Sequence, residues 1–237
     1  MDKIITSLDG KWNFRKHGSD QWYEGTVPGD IHTDLYKEKI ISDPYYSDNF
    51  KELTWVSKEN WEYNKEFYIS EEMLALSEQT LEFDSIDTYS DIYLNETLVL
   101  STDNMFIKQS CNVKEYLKKG NNNLKVVLKS INNEMEKYPY KKYYACFNIP
   151  RIFTRKVQCH FGWDWAPEMP GYGICQSVRL ISSGAHTIDD IYYRTTVKGD
   201  VTFHTKLSYN VKVDGSEIYS KSDSLRFRIA TEPDSSL

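Results

Sequence analysis

The chain has 237 residues, enough for one large or two modest domains. Its formal net charge of −6 argues against a nucleic-acid partner, because phosphate binding needs a basic face. Hydrophobic residues at 40% can build a core, and the 18 Tyr and 6 Trp suit sheet faces and flat ligand contacts.

The start, Met1-Asp2-Lys3-Ile4-Ile5-Thr6, has no apolar h-region, so no signal peptide is visible. No apolar run approaches the length of a membrane span, so no membrane partner is expected. The cysteines Cys111, Cys146, Cys159 and Cys175 are scattered, with no C-x-x-C pair and no zinc-ligand spacing. They read as isolated apolar thiols. The expectation is a protein without metal or cofactor in a reducing, cytoplasmic compartment.

Along the chain, Asp30 to Lys39 reads as a short helix that follows the turn Pro28-Gly29-Asp30. Asp30 is expected to cap its free backbone N–H groups, although Asp30, His32 and Asp34 together make a tempting cluster. Trp61 to Ile69 reads as a strand, with Trp61, Tyr63 and Phe67 largely on alternate positions. Glu71 to Leu76 suggests a second short helix. Asp91-Ile92-Tyr93-Leu94 and Thr97-Leu98-Val99-Leu100 flank Asn95-Glu96, a hairpin signal. Leu124, Val126 and Leu128 alternate with lysines in a half-buried strand. A first unit closes with Ser177 to Ile181, and Ser182-Ser183-Gly184 looks like a linker.

A second β-pattern follows. Ile191, Tyr193, Thr195 and Val197 alternate up to a Gly199-Asp200 turn. Alternation resumes from Val201 to Val213 and ends at Asp214-Gly215, and Leu225, Phe227 and Ile229 give a further strand. The fold class predicted is all-β: a jelly-roll β-sandwich over residues 1–183, followed by a partial immunoglobulin-like β-sandwich over 184–237.

The stretch Phe161-Gly162-Trp163-Asp164-Trp165-Ala166-Pro167 sets one carboxylate between two indoles. An indole face can lie against the C–H face of a pyranose, and an ionised carboxylate accepts hydrogen bonds from its hydroxyls. The bland alternative is that these aromatics are core residues of a β-protein. Trp165 is expected in the core, because adjacent strand residues point to opposite faces. Arg155 and Lys156 are expected to position this loop through ion pairs.

Several motifs, in order, resemble the N-terminal part of family 2 glycoside hydrolases, and among them the β-mannosidases. They are Leu8-Asp9-Gly10-Lys11-Trp12-Asn13-Phe14, Val27 to Leu35, Ser42 to Asn49, Trp55-Val56, Phe83-Asp84, Tyr93-Leu94-Asn95 and Asn104-Met105-Phe106. Arg155-Lys156-Val157-Gln158 then leads into the aromatic stretch. The resemblance covers residues 8 to 181 and is weaker beyond.

It implies a jelly-roll sugar-binding domain, an immunoglobulin-like domain and a (β/α)₈ barrel that carries the chemistry, the retaining hydrolysis of terminal β-mannosides. By motif, Trp163 would pack against the terminal sugar and Asp164 would accept hydrogen bonds from its hydroxyls. The partners implied are a β-mannoside or related glycoside and the catalytic barrel of the same polypeptide. No catalytic residue is assigned within this chain. Asn95-Glu96 and Asn133-Glu134 match the family's acid/base dipeptide, but neither ends a barrel strand, so both read as surface.

The sequence departs from the family at Ala166, where glycine is usual, at Cys175, where tryptophan is common, and at Glu96, which replaces a hairpin glycine. Glu136 to Phe147, with Tyr138, Tyr140, Tyr143 and Tyr144, looks like a Tyr-rich variant of a family loop. Two other readings stay open. One is a stand-alone carbohydrate-binding protein; the other is an interaction module whose unfinished sandwich exposes strand edges that invite a homodimer.

Overall fold

The computed structural model describes residues 3–138, 142, 149–184, 186–198, 202–213 and 216–218. The chain divides into two compact units, 2–184 and 185–237, apart from the first residue.

The larger unit is a sandwich of two antiparallel sheets with a separate two-stranded hairpin over residues 161–168. Its strands are β1 (Lys3–Ser7), β2 (Gly10–Lys16), β3 (Tyr23–Val27), β4 (Trp61–Ile69), β5 (Glu78–Phe83), β6 (Tyr89–Leu94), β7 (Thr97–Asp103), β8 (Gln109–Asn112) and β9 (Gly120–Leu128), followed by β10 (Phe161–Trp163), β11 (Ala166–Glu168) and β12 (Val178–Ser183). One sheet has six strands in the order β3-β2-β4-β9-β6-β7, the other four in the order β1-β12-β5-β8.

Period-two patterning builds both faces. Trp12 and Phe14 on β2 and Leu124, Val126 and Leu128 on β9 are buried with Leu81 and Phe83 on β5 and Val178 and Leu180 on β12 in one core. Phe14 and Tyr63 are cross-strand partners whose rings stack with centroids 5.5 Å apart, a pairing that adds to plain area burial. Buried indoles also need their N–H satisfied. Trp12 donates to the Leu8 carbonyl at 2.8 Å and Trp61 to the Val56 carbonyl at 3.1 Å.

The short helices are α1 (Ile31–Lys37), α2 (Glu71–Ala75) and α3 (Ile131–Met135). The first two agree with the sequence reading. The Asp30 side chain accepts from the His32 backbone N–H at 2.8 Å, so it caps α1 as expected. The strand 61–69 and the hairpin around Asn95-Glu96 also agree. Both turn residues have positive φ, 48° and 68°, the geometry of a type I′ turn that matches the twist of the flanking strands.

Ser182 and Ser183 correct the linker reading. Both lie in β12 and are buried, and Ser182 Oγ donates to Gln79 Oε1 at 2.5 Å. Serine composition suggests a linker, but a hydroxyl satisfied by a buried glutamine is at home in a sheet.

The smaller unit contains β13 (His186–Lys198), β14 (Thr202–Val213) and β15 (Ser216–Ile218), paired antiparallel in that order. A bulge lies between Ile188 and Asp190. The strand expected at Leu225 to Ile229 and the turns at 199–200 and 214–215 lie outside the described residues, as does most of the Tyr-rich stretch after Tyr138. Among the described residues no helix is long and apolar enough to cross a membrane.

Candidate functional site

The aromatic stretch folds as a tight hairpin of β10 and β11, with Phe161 opposite Glu168 and Trp163 opposite Ala166. Asp164 and Trp165 are its two turn residues. Phe161 is buried and ties the hairpin to the core, while Trp163 is 41% and Trp165 72% exposed. Gly162 has φ 89° and a side chain there would crowd Glu168, so this position calls for glycine. The positive φ falls there and not at Ala166, so the Gly-to-Ala departure does not force a different bend.

The expectation that Trp165 belongs to the core is overturned. The alternate-face rule holds along a strand, but Asp164 and Trp165 occupy the turn, where alternation stops and the indole projects outward.

Two ties hold the flanks of the hairpin. Lys156 is buried, ion-paired with the buried Asp87, and its Nζ donates to the Gly171 carbonyl at 2.8 Å. It thus joins the chain entering the hairpin to the chain leaving it, in keeping with the positioning role read from the sequence. Arg155 instead pairs with Asp103 at 2.9 Å in an exposed bridge, of small energetic weight. Beyond the hairpin, Gly173 exchanges backbone hydrogen bonds with Asp87 at 2.8 and 3.2 Å. A Cβ on Gly173 would stand 2.1 Å from the Gly29 carbonyl oxygen, so only glycine permits this close approach.

The hairpin tip forms one wall of a cleft of about 400 Å³. Trp163, Asp164 and Trp165 face Tyr45, Ser47 and Phe50 across it. The Tyr45 loop is held by its own bonds: Asp43 Oδ1 accepts from the Tyr45 N–H at 2.9 Å, and Asn49 Nδ2 donates to the Asp43 carbonyl at 2.8 Å. Tyr45 is left 81% exposed. The Arg151 guanidinium sits 5.1 Å from the centre of the Trp163 ring, a cation–π contact that steadies the indole. An exposed carboxylate flanked by two indoles, opposite a tyrosine and a phenylalanine, can stack on an apolar ring face and accept hydrogen bonds from hydroxyls.

Residues 12–176 match the family described as glycosyl hydrolase 2 galactose-binding domain-like. The chain belongs to this family. A β-mannosidase from Bos taurus is 34% identical over 192 residues, 75% of this chain and 22% of its own length. One from Mus musculus is 30% identical over 221 residues, 89% of this chain and 24% of its own length. Among solved structures, the β-D-mannosidase from Dictyoglomus thermophilum superposes with a TM-score of 0.84 at 37% identity, over 89% of this chain and 26% of that one. An exo-chitosanase from Amycolatopsis orientalis, at 15% identity and a TM-score of 0.67, shares the fold. The chain spans about a quarter of the length of the β-mannosidases it matches.

Within this galactose-binding-like domain, Trp163 and Asp164 stand together at the hairpin tip. Asp30 and His32, at the start of α1, line a neighbouring cavity and not this cleft, and Asp34 is buried under Tyr63. Glu96 pairs with Lys125, and Glu134 with Lys137, both as surface ion pairs. The sequence reading did not single out Tyr45, Phe50 or Arg151. Ser42 to Asn49 was recognised as a motif, but nothing local says that its tyrosine faces a hairpin more than one hundred residues away.

Proposed function

We propose that this chain is the non-catalytic sugar-binding part of a retaining glycoside hydrolase acting on terminal β-mannosides. It contributes contacts to the terminal sugar at an active site on a barrel carried by further polypeptide. The single observation behind this reading is the placement of Asp164 between two exposed indoles at a rigidly tied hairpin tip. The similarity to β-mannosidases supplies the sugar. In such a reaction one carboxylic acid protonates the leaving oxygen and a second carboxylate attacks the anomeric carbon; both belong to the barrel.

Trp163 packs against the sugar and Asp164 accepts hydrogen bonds from its hydroxyls. A sugar that leaves a desolvated carboxylate unpaired loses about 1–3 kcal/mol. Residues 184–237 are read as the beginning of an immunoglobulin-like sandwich. The free thiols Cys111, Cys159 and Cys175 suit a reducing compartment such as the cytoplasm.

In the intact enzyme, Asp164→Ala is expected to reduce kcat/KM for an aryl β-mannoside by about tenfold or more, equivalent to about 1.4 kcal/mol or more. Unchanged kinetics in a folded variant would remove Asp164 from the site.

A further inference from the structure

Behind the hairpin lies a second, larger cavity of about 550 Å³, within the size range of small-ligand pockets. Trp165 and Tyr45 stand at its edge, and Asp30, His32, His160 and Cys175 line its interior. Trp163 and Asp164 take no part in it.

The lining sets titratable side chains among apolar ones. His32 is buried, with Nδ1 3.4 Å from Asp30 Oδ1. His160 Nδ1 is shielded from solvent and has no hydrogen-bond partner. Nδ1 lies 4.0 Å from Asp87 Oδ2, and it is the rest of the imidazole, 39% exposed, that faces the cavity. Asp87, also on the wall, is neutralised by Lys156.

Burial alone would raise the Asp30 carboxyl, but the adjacent His32 groups and then Lys156 hold it below the usual carboxylate range. Burial, followed by the Lys156 ammonium, holds His160 below the ordinary imidazole value. At neutral pH the cavity therefore offers an ionised carboxylate as acceptor and a neutral imidazole as donor and acceptor. The Asp30 carboxylate opposes an anion, and the Asp87–Lys156 pair adds no net charge.

The geometry points to an accessory binding site for a neutral pyranoside unit, with Asp30 and His160 taking its hydroxyls and Trp165 and Tyr45 flanking its ring. The ligand class rests on the proposed function; the site does not, since it uses neither Trp163 nor Asp164. Because Trp165 and Tyr45 border both spaces, a sugar unit here would lie next to one held at the hairpin tip.

The test is a titration of the 237-residue chain, labelled at its five histidines, with methyl β-D-mannopyranoside, followed by NMR. The His160 ring resonance is expected to shift and to saturate at millimolar concentration, on the order of 1–10 mM. The same shift is expected in the Trp163→Ala/Asp164→Ala double variant. Cys175→Trp, which fills the cavity with an indole, is expected to raise the dissociation constant at least tenfold. Should that variant fail to fold, His160→Phe keeps the ring volume and removes both nitrogens; ligand-observed saturation transfer then reads the same loss.

No His160 shift in the folded wild-type chain would overturn the site. So would a response abolished by the double variant, which would put the sugar in the hairpin-tip cleft alone. A hexosamine cation bound in preference to the neutral pyranoside would overturn the ligand class. Loss of the Asp164 effect on kinetics, by contrast, bears on the proposed function and leaves this site standing.

Discussion

Asp34 shows how strongly one side chain can bind stability to pH. It is fully buried in the first turn of α1, where its carboxylate accepts from Tyr63 Oη at 2.8 Å and from the Thr26 N–H at 3.1 Å. Burial outweighs these bonds and raises its pKa from 3.8 to about 6. The folded state thus binds the Asp34 proton more tightly than the unfolded state does. The resulting stability is fully present below about pH 4 and is lost as pH rises through about 6, a term of about 3 kcal/mol at most.

Asp34→Asn keeps an acceptor for the Thr26 N–H and carries no charge. It is expected to match the wild type near pH 4 and to be the more stable of the two at pH 7, as read by thermal melts across that range. Equal pH slopes for the two proteins would refute the assignment. None of this was legible in the sequence, where Asp34 stood in a cluster with Asp30 and His32 whose burial has no local signature. Trp165 failed for a related reason. The alternation of a strand does not extend to a residue that the two-residue turn takes out of it.

At the scale of elements, the strands from Trp61 to Ile69 and around Leu124 to Leu128 were legible because their apolar residues largely alternate, although Glu62 and Val127 are buried as well. The Asn95-Glu96 hairpin was legible as well, and it carries a cost. Glu96 holds φ 68° with an exposed side chain, and a non-glycine residue in the left-handed region is strained by about 1–2 kcal/mol. Its ion pair with Lys125 offsets little of this. Glu96→Gly is therefore expected to raise the urea midpoint, by up to about 1 kcal/mol in stability, whereas Glu96→Ala, which keeps the strain and loses the pair, lowers it. A lower midpoint for the glycine variant would contradict the argument. The β10–β11 hairpin escaped recognition because three-residue strands are too short to show a period, although Gly162 with its positive φ marked the place.

For the whole molecule, the order of motifs from residue 8 to residue 181 outlined one sandwich. The pairings that close it were not written locally. β1 pairs with β12, and the Val178 N–H donates to Asp9 Oδ1 at 2.8 Å, contacts between opposite ends of the unit. The same holds for the candidate site, where Tyr45 meets the hairpin only after folding. The chain belongs to this family and spans about a quarter of the β-mannosidases it matches; the function proposed above assigns it sugar contacts and assigns the bond-breaking carboxylates to a barrel.

The most direct test of that division is hydrolysis of an aryl β-mannoside, comparing the 237-residue chain with the polypeptide encoded when its reading frame is followed past Leu237. The account predicts turnover by the longer polypeptide and none by the chain alone. Turnover by the isolated chain, or a longer polypeptide with repeated strand–helix units that leaves β-mannosides intact, would contradict it.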